Sequence, residues 1–350
     1  MNQRLYLIAA LVFVIFAAFY MAINQEATEN FNDGEISFDY PQGWQMKPGF
    51  NPSVIAAFYD TNSGLNVTVN KQVIPPGYQY PENFIFNTTE AFNSGFRLLS
   101  HRIYDLNGDT AYDNTYYINS NGSIYLREEI WLHKNGNLYS IIYTHKESSY
   151  NTLPVILNRD IINIPSEEDL TENSTSQLNI NYFDLKSSME DSITRSGFEV
   201  LLKNFKVDSV SIPAKTPFIG DISIPAINVT WGIRPDTVNG YNSVYHYNES
   251  YYPGQYGSMG LLGHRSLYSA PFAKIDQLKP GDLVIIDDYL TQKKYIYKVV
   301  SNGDIKWDYK TDPIKFPGGN TDLILVTCYP PGTTDAAWIV HCKLSSIEPL

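Results

Sequence analysis

From Ile219 to its end the chain repeats one pattern, in which a short apolar or alternating run is followed by a turn signal. Leu283–Asp287 and Lys294–Ser301, for example, flank a polar stretch and predict a hairpin. Many short strands with few helical patterns are typical of a closed β-barrel, because closure removes the exposed edges of a sheet. Residues 214–350 are therefore predicted to form a β-barrel domain.

One cysteine stands where such a strand ends. The apolar run Leu323–Val326 predicts a buried strand, and the Tyr-Pro-Pro-Gly segment after Cys328 predicts a loop. A strand fixes the backbone of a nucleophile and a loop gives a substrate access to it, so Cys328 is a candidate nucleophile. The alternative is a buried, inert thiol.

A cysteine nucleophile needs a base or a cationic partner, and His264 offers one where the apolar pair Leu261-Leu262 meets a turn. A strand-end cysteine combined with this strand-end histidine is similar to the sortase family. Further segments fall in the family's order: Phe218–Val229, Thr237–Asn239, Pro253–Gly257, Pro271–Phe272 and Leu278–Asp282. The resemblance covers about Ala214 to Leu344.

This resemblance implies an eight-stranded barrel that works as a cysteine transpeptidase. In the family, the cysteine attacks a backbone carbonyl of a sorting signal on a surface protein and forms a thioacyl enzyme. An amine of the cell wall or of a pilin subunit then resolves it. The resemblance assigns these roles to Cys328, as nucleophile, and to His264, which protonates the leaving amine and deprotonates the incoming one. No metal or other cofactor is expected.

The family's third residue, an arginine at the start of the closing strand, has no counterpart here. Matching Trp338–Leu344 to the family puts the arginine position at Ala337, and the loss of one oxyanion donor typically costs ~10²–10³ in rate. Arg234 and Arg265 are candidate oxyanion or substrate contacts, although neighbours on a strand point to opposite faces, which would separate Arg265 from His264.

Other polar residues near these motifs have open roles. His246, which precedes a Pro-Gly turn, is a candidate oxyanion or substrate contact or a packing residue. His341 in the closing strand is expected to be structural. Lys343 is one more cation to consider.

Three functions compete at this point. The first is a membrane-anchored transpeptidase acting on surface proteins, and the second is a catalytically impaired module that binds a peptide, which Ala337 favours. The third is a hydrolytic cysteine peptidase on the same site. Transfer and hydrolysis are not separated by the sequence, because the outcome depends on whether amine or water reaches the thioester.

Residues 31–164 predict an α+β domain. Pro81-Glu82 opens a helical pattern that extends to Phe96, and Lys134–Asn137 places Asn-Gly between two strand-like runs, a strong hairpin signal. The opening Tyr40–Trp44 resembles the PsbP-like fold. This region contains no cluster of Cys, His and carboxylate residues, so we predict a spacer or interaction domain.

Residues 165–213 connect the two predicted domains. The segment begins with a polar, charged stretch that is typical of a linker. An imperfect apolar stripe over Asp184–Phe205 predicts a helix at the entry to the barrel domain.

Residues 1–24 predict a transmembrane signal anchor. Leu5–Ile23 is a nearly unbroken apolar run of 19 residues, long enough to cross most of a bilayer core. Arg4 precedes the run and Glu26 follows it, which favours a single-pass protein with its N-terminus inside and both domains outside the cell. A cleaved signal peptide is the alternative.

Composition agrees with an exported chain that does not bind nucleic acid. The net charge is -12, which argues against nucleic acid as a partner. Six Asn-x-Ser/Thr sequons are present, although a chain so rich in these residues produces them by chance. The two cysteines, Cys328 and Cys342, are predicted to be unbridged, because Cys342 points to the other face of its strand.

Overall fold

The structure is a computed structural model that describes residues 27–60, 65–75, 82–146, 193–208 and 217–350. The anchor predicted at residues 1–24 and most of the predicted linker lie outside these ranges. Within them, no helix is both long and apolar enough to cross a membrane.

The described part of the first domain contains ten strands and two helices. They are β1 (Thr28–Asn32), β2 (Ile36–Pro41), β3 (Gln45–Lys47), β4 (Val54–Asp60), β5 (Leu65–Val73), α1 (Glu82–Phe92), β6 (Arg97–Leu106), β7 (Asp109–Ser120), β8 (Ser123–Lys134), β9 (Asn137–Lys146), α2 (Ile193–Asn204) and β10 (Lys206–Val207). Seven strands form one antiparallel sheet in the order β3-β4-β5-β9-β8-β7-β6, and β1-β2-β10 form a small second sheet.

Asn-Gly turns set the register of the long strands in this sheet. Asn135 and Gly136 join β8 to β9 with positive φ angles of 54° and 73°, and the predicted hairpin is confirmed. Asn121-Gly122 makes the same kind of two-residue turn between β7 and β8. Both central residues of a type I′ turn need positive φ, which Asn and Gly adopt most readily.

The second helix belongs to the first domain, and this corrects its predicted place at the entry to the barrel. Phe198, Leu201 and Phe205 are buried in the core of the first domain, where Phe205 stacks on Phe38 of β2 at 5.9 Å between ring centroids. The following strand β10 pairs with β2. The sequence pattern indicated the helix but could not show which domain would cover its apolar face.

The C-terminal domain is a closed eight-stranded barrel, as predicted. Its strands are β11 (Gly220–Ile224), β12 (Val229–Arg234), β13 (Ser243–His246), β14 (Met259–Leu262), β15 (Leu283–Asp288), β16 (Lys293–Lys306), β17 (Asp322–Tyr329) and β18 (Ala336–Pro349). They close in the order β11-β12-β13-β14-β17-β18-β16-β15, and β15 pairs back to β11. The predicted hairpin is the β15–β16 pair.

Alternation along β17 and β18 separates an inner and an outer face. Leu323, Leu325 and Cys342 are buried in the barrel interior. Ile324, Val326, Ala337 and Ile339 form a separate buried cluster. Since successive side chains of a strand point to opposite faces, this second cluster marks the outer face of the same two strands.

The first domain docks against the β15–β16 end of the barrel. Trp131 and Leu138 of the first domain join the core cluster of the barrel. Arg127 donates from Nη2 to the Gln292 carbonyl oxygen at 2.9 Å, and Lys293 Nζ lies 3.6 Å from Glu129 Oε1. The first domain therefore has a buried interface with the barrel.

Candidate active site

Cys328 lies at the C-terminal end of β17, directly across from Ala337 of β18. Paired residues in an antiparallel ladder point to the same face, so both side chains belong to the outer face. Cys328 is half-buried, whereas Cys342 is fully buried five positions along the ladder, where it pairs with Leu323. Both thiols are free, and the prediction that they are not bridged is confirmed.

Parallel pairing sets His264 and Cys328 at the same end of two neighbouring strands. β14 runs parallel to β17 with Leu262 opposite Val326, and the Gly263 amide donates to the Val326 carbonyl oxygen at 3.0 Å. Two residues further along each strand this register reaches His264 and Cys328, on the same face. Neighbouring strands are ~4.8 Å apart. The structure thus brings together the two residues predicted as nucleophile and base.

A buried threonine fixes the backbone between these two residues. The Thr327 hydroxyl donates to the Gly263 carbonyl oxygen at 2.7 Å, and Thr327 is fully buried. The bond joins the residue before Cys328 to the residue before His264. It therefore holds both ends of the strand pair in register where the reactive side chains emerge.

The His264 imidazole is held by a side chain and a ring. Its Nε2 lies 3.1 Å from Asn239 Oδ1, where the ring N–H donates to the amide oxygen. The Tyr268 ring packs on the imidazole at 4.8 Å between centroids. Burial lowers the pKa of His264 below its usual value of 6.5. No hydrogen bond joins His264 to Cys328 among the described residues. The side-chain hydrogen bond of the imidazole is the one to Asn239.

Burial also has the largest effect on the pKa of the Cys328 thiol. It raises the pKa of Cys328 above the usual 9.0, and the positive charge of Lys310 opposes this rise. With the histidine pKa lowered and the cysteine pKa raised, the resting site at neutral pH holds a protonated thiol and a neutral imidazole. The reactive thiolate–imidazolium pair is therefore the minor form.

A buried apolar cluster lies on the outer face of β17 and β18 beside Cys328. Its members are Ile324, Val326, Ala337 and Ile339, and the partly buried side chains of Tyr247, Leu262, Tyr309, Ile314 and Phe316 pack against them. Away from Cys328, a groove of about 200 Å³ is lined by Ile324 and Ile339 of this cluster and by charged side chains that include Asp304 and Lys306, and it reaches His341. The groove therefore combines an apolar floor with a charged rim.

Ala337 offers no side-chain donor to this site. It is 2% exposed and packs within the apolar cluster of the outer face. Arg265 does not replace the missing donor, because it lies on the inner side of the barrel. Its Nη2 is 2.9 Å from Asp276 Oδ1, and its guanidinium carbon is 5.3 Å from the Trp338 ring. The strand alternation predicted this separation from His264.

Arg234, at the end of β12, is engaged by a carboxylate. Its Nε and Nη2 donate to Asp236 Oδ1 and Oδ2 at 2.9 and 2.7 Å. This bidentate pair occupies the fork that would otherwise bind a carbonyl or an oxyanion. Arg234 is thus present near the barrel rim but already has a partner.

His246 lies away from the groove, which argues against its predicted contact with an oxyanion or substrate. It is 0% exposed, and its ring stacks on Tyr252 at 4.2 Å. Burial lowers its pKa to about 4, so it stays neutral near pH 7. Strand alternation is the reason, because Val244 of the same strand faces the barrel core and His246 shares its side.

The remaining sequence candidates lie away from Cys328. His341 faces the far end of the groove, with Nε2 3.4 Å from Asp304 Oδ2. Lys343 lies across the β17–β18 ladder from Asp322, at the opposite end of β17 from Cys328. In the described ranges, no group of three or more His, Cys, Asp and Glu side chains is placed to hold a metal ion.

Sequence reasoning missed Asn239, Tyr268 and Lys310. Asn239 stood in a segment quoted only for its order along the chain. Tyr268 and Lys310 lie in loops, where no periodic pattern indicates which side chain turns toward a strand end. Each approaches the site through the tertiary fold alone.

A family model described as the sortase domain matches residues 222–345. Among curated proteins, sortase SrtE1 of Streptomyces coelicolor is 33% identical over 101 residues, which are 27% of this chain and 28% of that protein. Sortase D of Bacillus subtilis is 32% identical over 131 residues, which are 35% of this chain and 62% of its own. The chain thus spans less than two thirds of either relative.

A solved structure of sortase E1 from Streptomyces coelicolor, with a tripeptide in the active site, is 26% identical to this chain. The match covers 38% of this chain and 90% of that one, with a TM-score of 0.32.

Proposed function

Because a family model of the sortase domain matches residues 222–345, we propose that this protein is a cysteine transpeptidase that cleaves a sorting signal on surface proteins and transfers the acyl group to an amine. The observation that carries the proposal is the strand register, which sets Cys328 and His264 at the same end of two parallel strands, beside the apolar cluster of the outer face. Neither the groove nor the strand-end thiol would be needed for a purely structural domain.

The proposed reaction has two steps. The Cys328 thiolate adds to a backbone carbonyl of the bound signal, and the carbonyl π electrons move to oxygen. Collapse of this intermediate breaks the C–N bond, and His264 gives a proton to the leaving amine. An incoming amine then attacks the thioester, loses a proton to His264 and expels the Cys328 thiolate. The net result exchanges one amide bond for another.

The two pKa shifts set the pH dependence of this reaction. Attack requires a thiolate together with an imidazolium, a state in which the pair shares one proton. In acid the pair gains a second proton and the thiolate is lost, and this happens below the lowered pKa of His264. In base the pair loses its proton and the imidazolium is lost, and this happens above the raised pKa of Cys328. We expect a plateau that extends below pH 6.5 and above pH 9.0, the two usual values.

The surroundings of the thiol bear on transfer against hydrolysis. Cys328 is half-buried, and Tyr247 and Tyr309 pack against the apolar cluster beside it, which limits the access of water to a thioester at this thiol. We therefore propose transfer as the main reaction and hydrolysis as the slow default when no amine is present.

Anchoring in the cell membrane is also part of the proposal. It rests on the apolar run Leu5–Ile23 with Arg4 before it and Glu26 after it. Protease added to intact cells should digest the chain beyond Asn24. Protection of the whole chain, or a mature N-terminus near Asn24 in the medium, would contradict a retained anchor.

A second candidate function is peptide binding without turnover, and Ala337 is the observation that favours it. If the groove binds a sorting signal but no oxyanion donor is present, the thiol reacts too slowly to matter. The binding function predicts peptide affinity without any covalent adduct.

Mass spectrometry of trapped adducts separates the two functions. The purified chain is incubated with a library of extended apolar peptides, with and without an added amine. We expect a peptide mass on Cys328 that disappears with amine and is absent in Cys328→Ala. Cys342→Ala removes the buried thiol and serves as the matched control. Peptide binding without an adduct in any sample would replace the transpeptidase by the binding module.

A further inference from the structure

The strands around Cys328 bring no unpaired cation to its face. Ala337 lies directly across the ladder, and Arg265 contacts Asp276 on the inner side. Arg234 is chelated by Asp236. Apart from the His264 imidazolium, any positive charge for an oxyanion at Cys328 must therefore come from a loop.

The loop between β16 and β17 contacts the turn between β17 and β18, which follows Cys328. The Tyr309 hydroxyl donates to the Thr334 carbonyl oxygen at 3.0 Å, and Lys310 Nζ approaches Thr334 Oγ1 at 3.4 Å. Thr334 belongs to the turn that connects Cys328 on β17 to Ala337 on β18. Tyr309 packs against the cluster that contains Ala337. These contacts hold the ammonium group of Lys310 beside that turn.

Lys310 differs from the neighbouring lysines, whose charges are paired with a carboxylate. Lys306 at the loop's start lies 2.6 Å from Asp312 Oδ2, and Lys315 lies 3.2 Å from Asp312 Oδ1. Lys310 forms no ion pair with a carboxylate in the part of the chain that the structure describes. Its charge is felt at Cys328, where it opposes the effect of burial on the thiol pKa.

We infer that Lys310 supplies, from the loop, the positive charge that Ala337 cannot give to the Cys328 thiolate and to the acyl oxyanion. This deepens the proposed function and rests on it. When the thiolate adds to the carbonyl, the ammonium N–H donates to the new oxyanion and no proton leaves the lysine. A lysine suits this task as a point charge on a flexible stem, although it lacks the planar fork of an arginine.

The test compares Lys310→Gln with Lys343→Gln, an exposed lysine at the other end of the strand pair. Adduct formation should fall by about tenfold or more in Lys310→Gln, up to the ~10²–10³ typical of a lost oxyanion donor. Lys343→Gln should match the unmodified chain. Lys310→Arg keeps the charge and should restore most of the rate.

A second readout needs no turnover. Iodoacetamide labels Cys328 in the folded chain, because Cys342 is fully buried. The pH midpoint of labelling should move up in Lys310→Gln, because the charge that favours the thiolate is gone. Added salt should move the midpoint in the same direction for the unmodified chain and have less effect on the variant, since an exposed charge is screened.

The outcomes separate this inference from the proposed function. If the labelling midpoint shifts but no chain forms an adduct, Lys310 acts on the thiol and the transpeptidase proposal fails. If adducts form at the normal rate in Lys310→Gln and the midpoint is unchanged, the inference is wrong. A loss of adduct in Arg234→Gln with Lys310→Gln unaffected would assign the role to Arg234 instead.

Discussion

The two ends of the β16–β18 ladder treat charge in opposite ways. At one end, where Lys293 pairs with Pro349, charged side chains are buried together against the first domain. At the other end, Lys306 lies across the ladder from Ala337, and Ala337 lies across from Cys328 of β17. The half-buried thiol of Cys328 there forms no ion pair with a cation of these strands. The same two strands thus support a docked interface at one end and an open groove at the other.

At the docked end the buried charges of Arg127, Glu129 and Lys293 lie together. Glu129 Oε1 lies 2.9 Å from Arg127 Nε and also accepts from the Tyr116 hydroxyl. Lys293 and Glu129 are both fully buried. Burial lowers the pKa of Lys293, and Glu129 opposes this effect. Buried charges persist only when they are paired, because desolvation costs several kcal/mol per ion.

At the groove end the ion pairs of Lys306 and Lys315 with Asp312 are partly or fully open to solvent, and the thiol remains protonated. The difference teaches that the docked end is built for specific packing, whereas the groove end keeps its reactive groups only partly compensated.

The largest expected effect is on the groove end, from His264→Ala. Loss of a general acid and base should slow adduct turnover by ~10²–10⁴ without changing the unfolding temperature much. His246→Ala removes a buried ring from the barrel interior and should do the reverse. It should lower thermal stability and leave the rate per folded molecule unchanged. Equal losses of rate in the two variants would break the distinction between outer and inner histidines.

At the docked end, Glu129→Gln should cost ~3–5 kcal/mol of unfolding free energy, because it leaves Lys293 and Arg127 buried without their carboxylate. Chemical denaturation measures this loss. Asp312→Asn, which removes an exposed partner of Lys306, is the matched change at the groove end and should leave the unfolding free energy almost unchanged, because solvent screens the pair. Similar costs at both ends would contradict the comparison.

Ala337→Arg tests whether the groove end can accept a strand-borne cation. The side chain would enter a floor where Ala337 is buried, so crowding should cost ~1–3 kcal/mol of stability. While Lys310 is present we expect no gain in the rate of adduct formation. In Lys310→Gln, Ala337→Arg should recover part of the lost rate. A large gain with Lys310 intact would show that the oxyanion is unsupported in the natural chain.

The smallest effect concerns the hydrogen bond that holds His264. Asn239→Ala should lower the rate by an amount equal to ~0.5–1.5 kcal/mol, the usual worth of one hydrogen bond. Asn239→Asp places a negative charge beside the imidazole and should move the acid limit of the pH profile upward, because the imidazolium is stabilised. An unchanged profile in Asn239→Asp would remove Asn239 from the site.

Much of the barrel was readable in advance. The strand pattern after Ile219 predicted the closed barrel, and strand parity predicted both the unbridged cysteines and the turn of Arg265 away from His264. The Asn-Gly turn at Asn135 predicted its hairpin. These features depend on local rules of periodicity and turn geometry, which a sequence carries within a few residues. The α+β character of the first domain and its PsbP-like resemblance stay predictions.

What the sequence determined by itself was therefore the barrel, the two strand ends that carry Cys328 and His264, and the absence of an arginine at Ala337. Only the tertiary structure decided that α2 packs in the first domain, that His246 faces inward and that Asn239 and Lys310 approach the site. The physical reason is that strand and turn signals are local, whereas these contacts join loops and faces that are distant in the chain. Their positions follow from which apolar surfaces cover each other when the barrel closes.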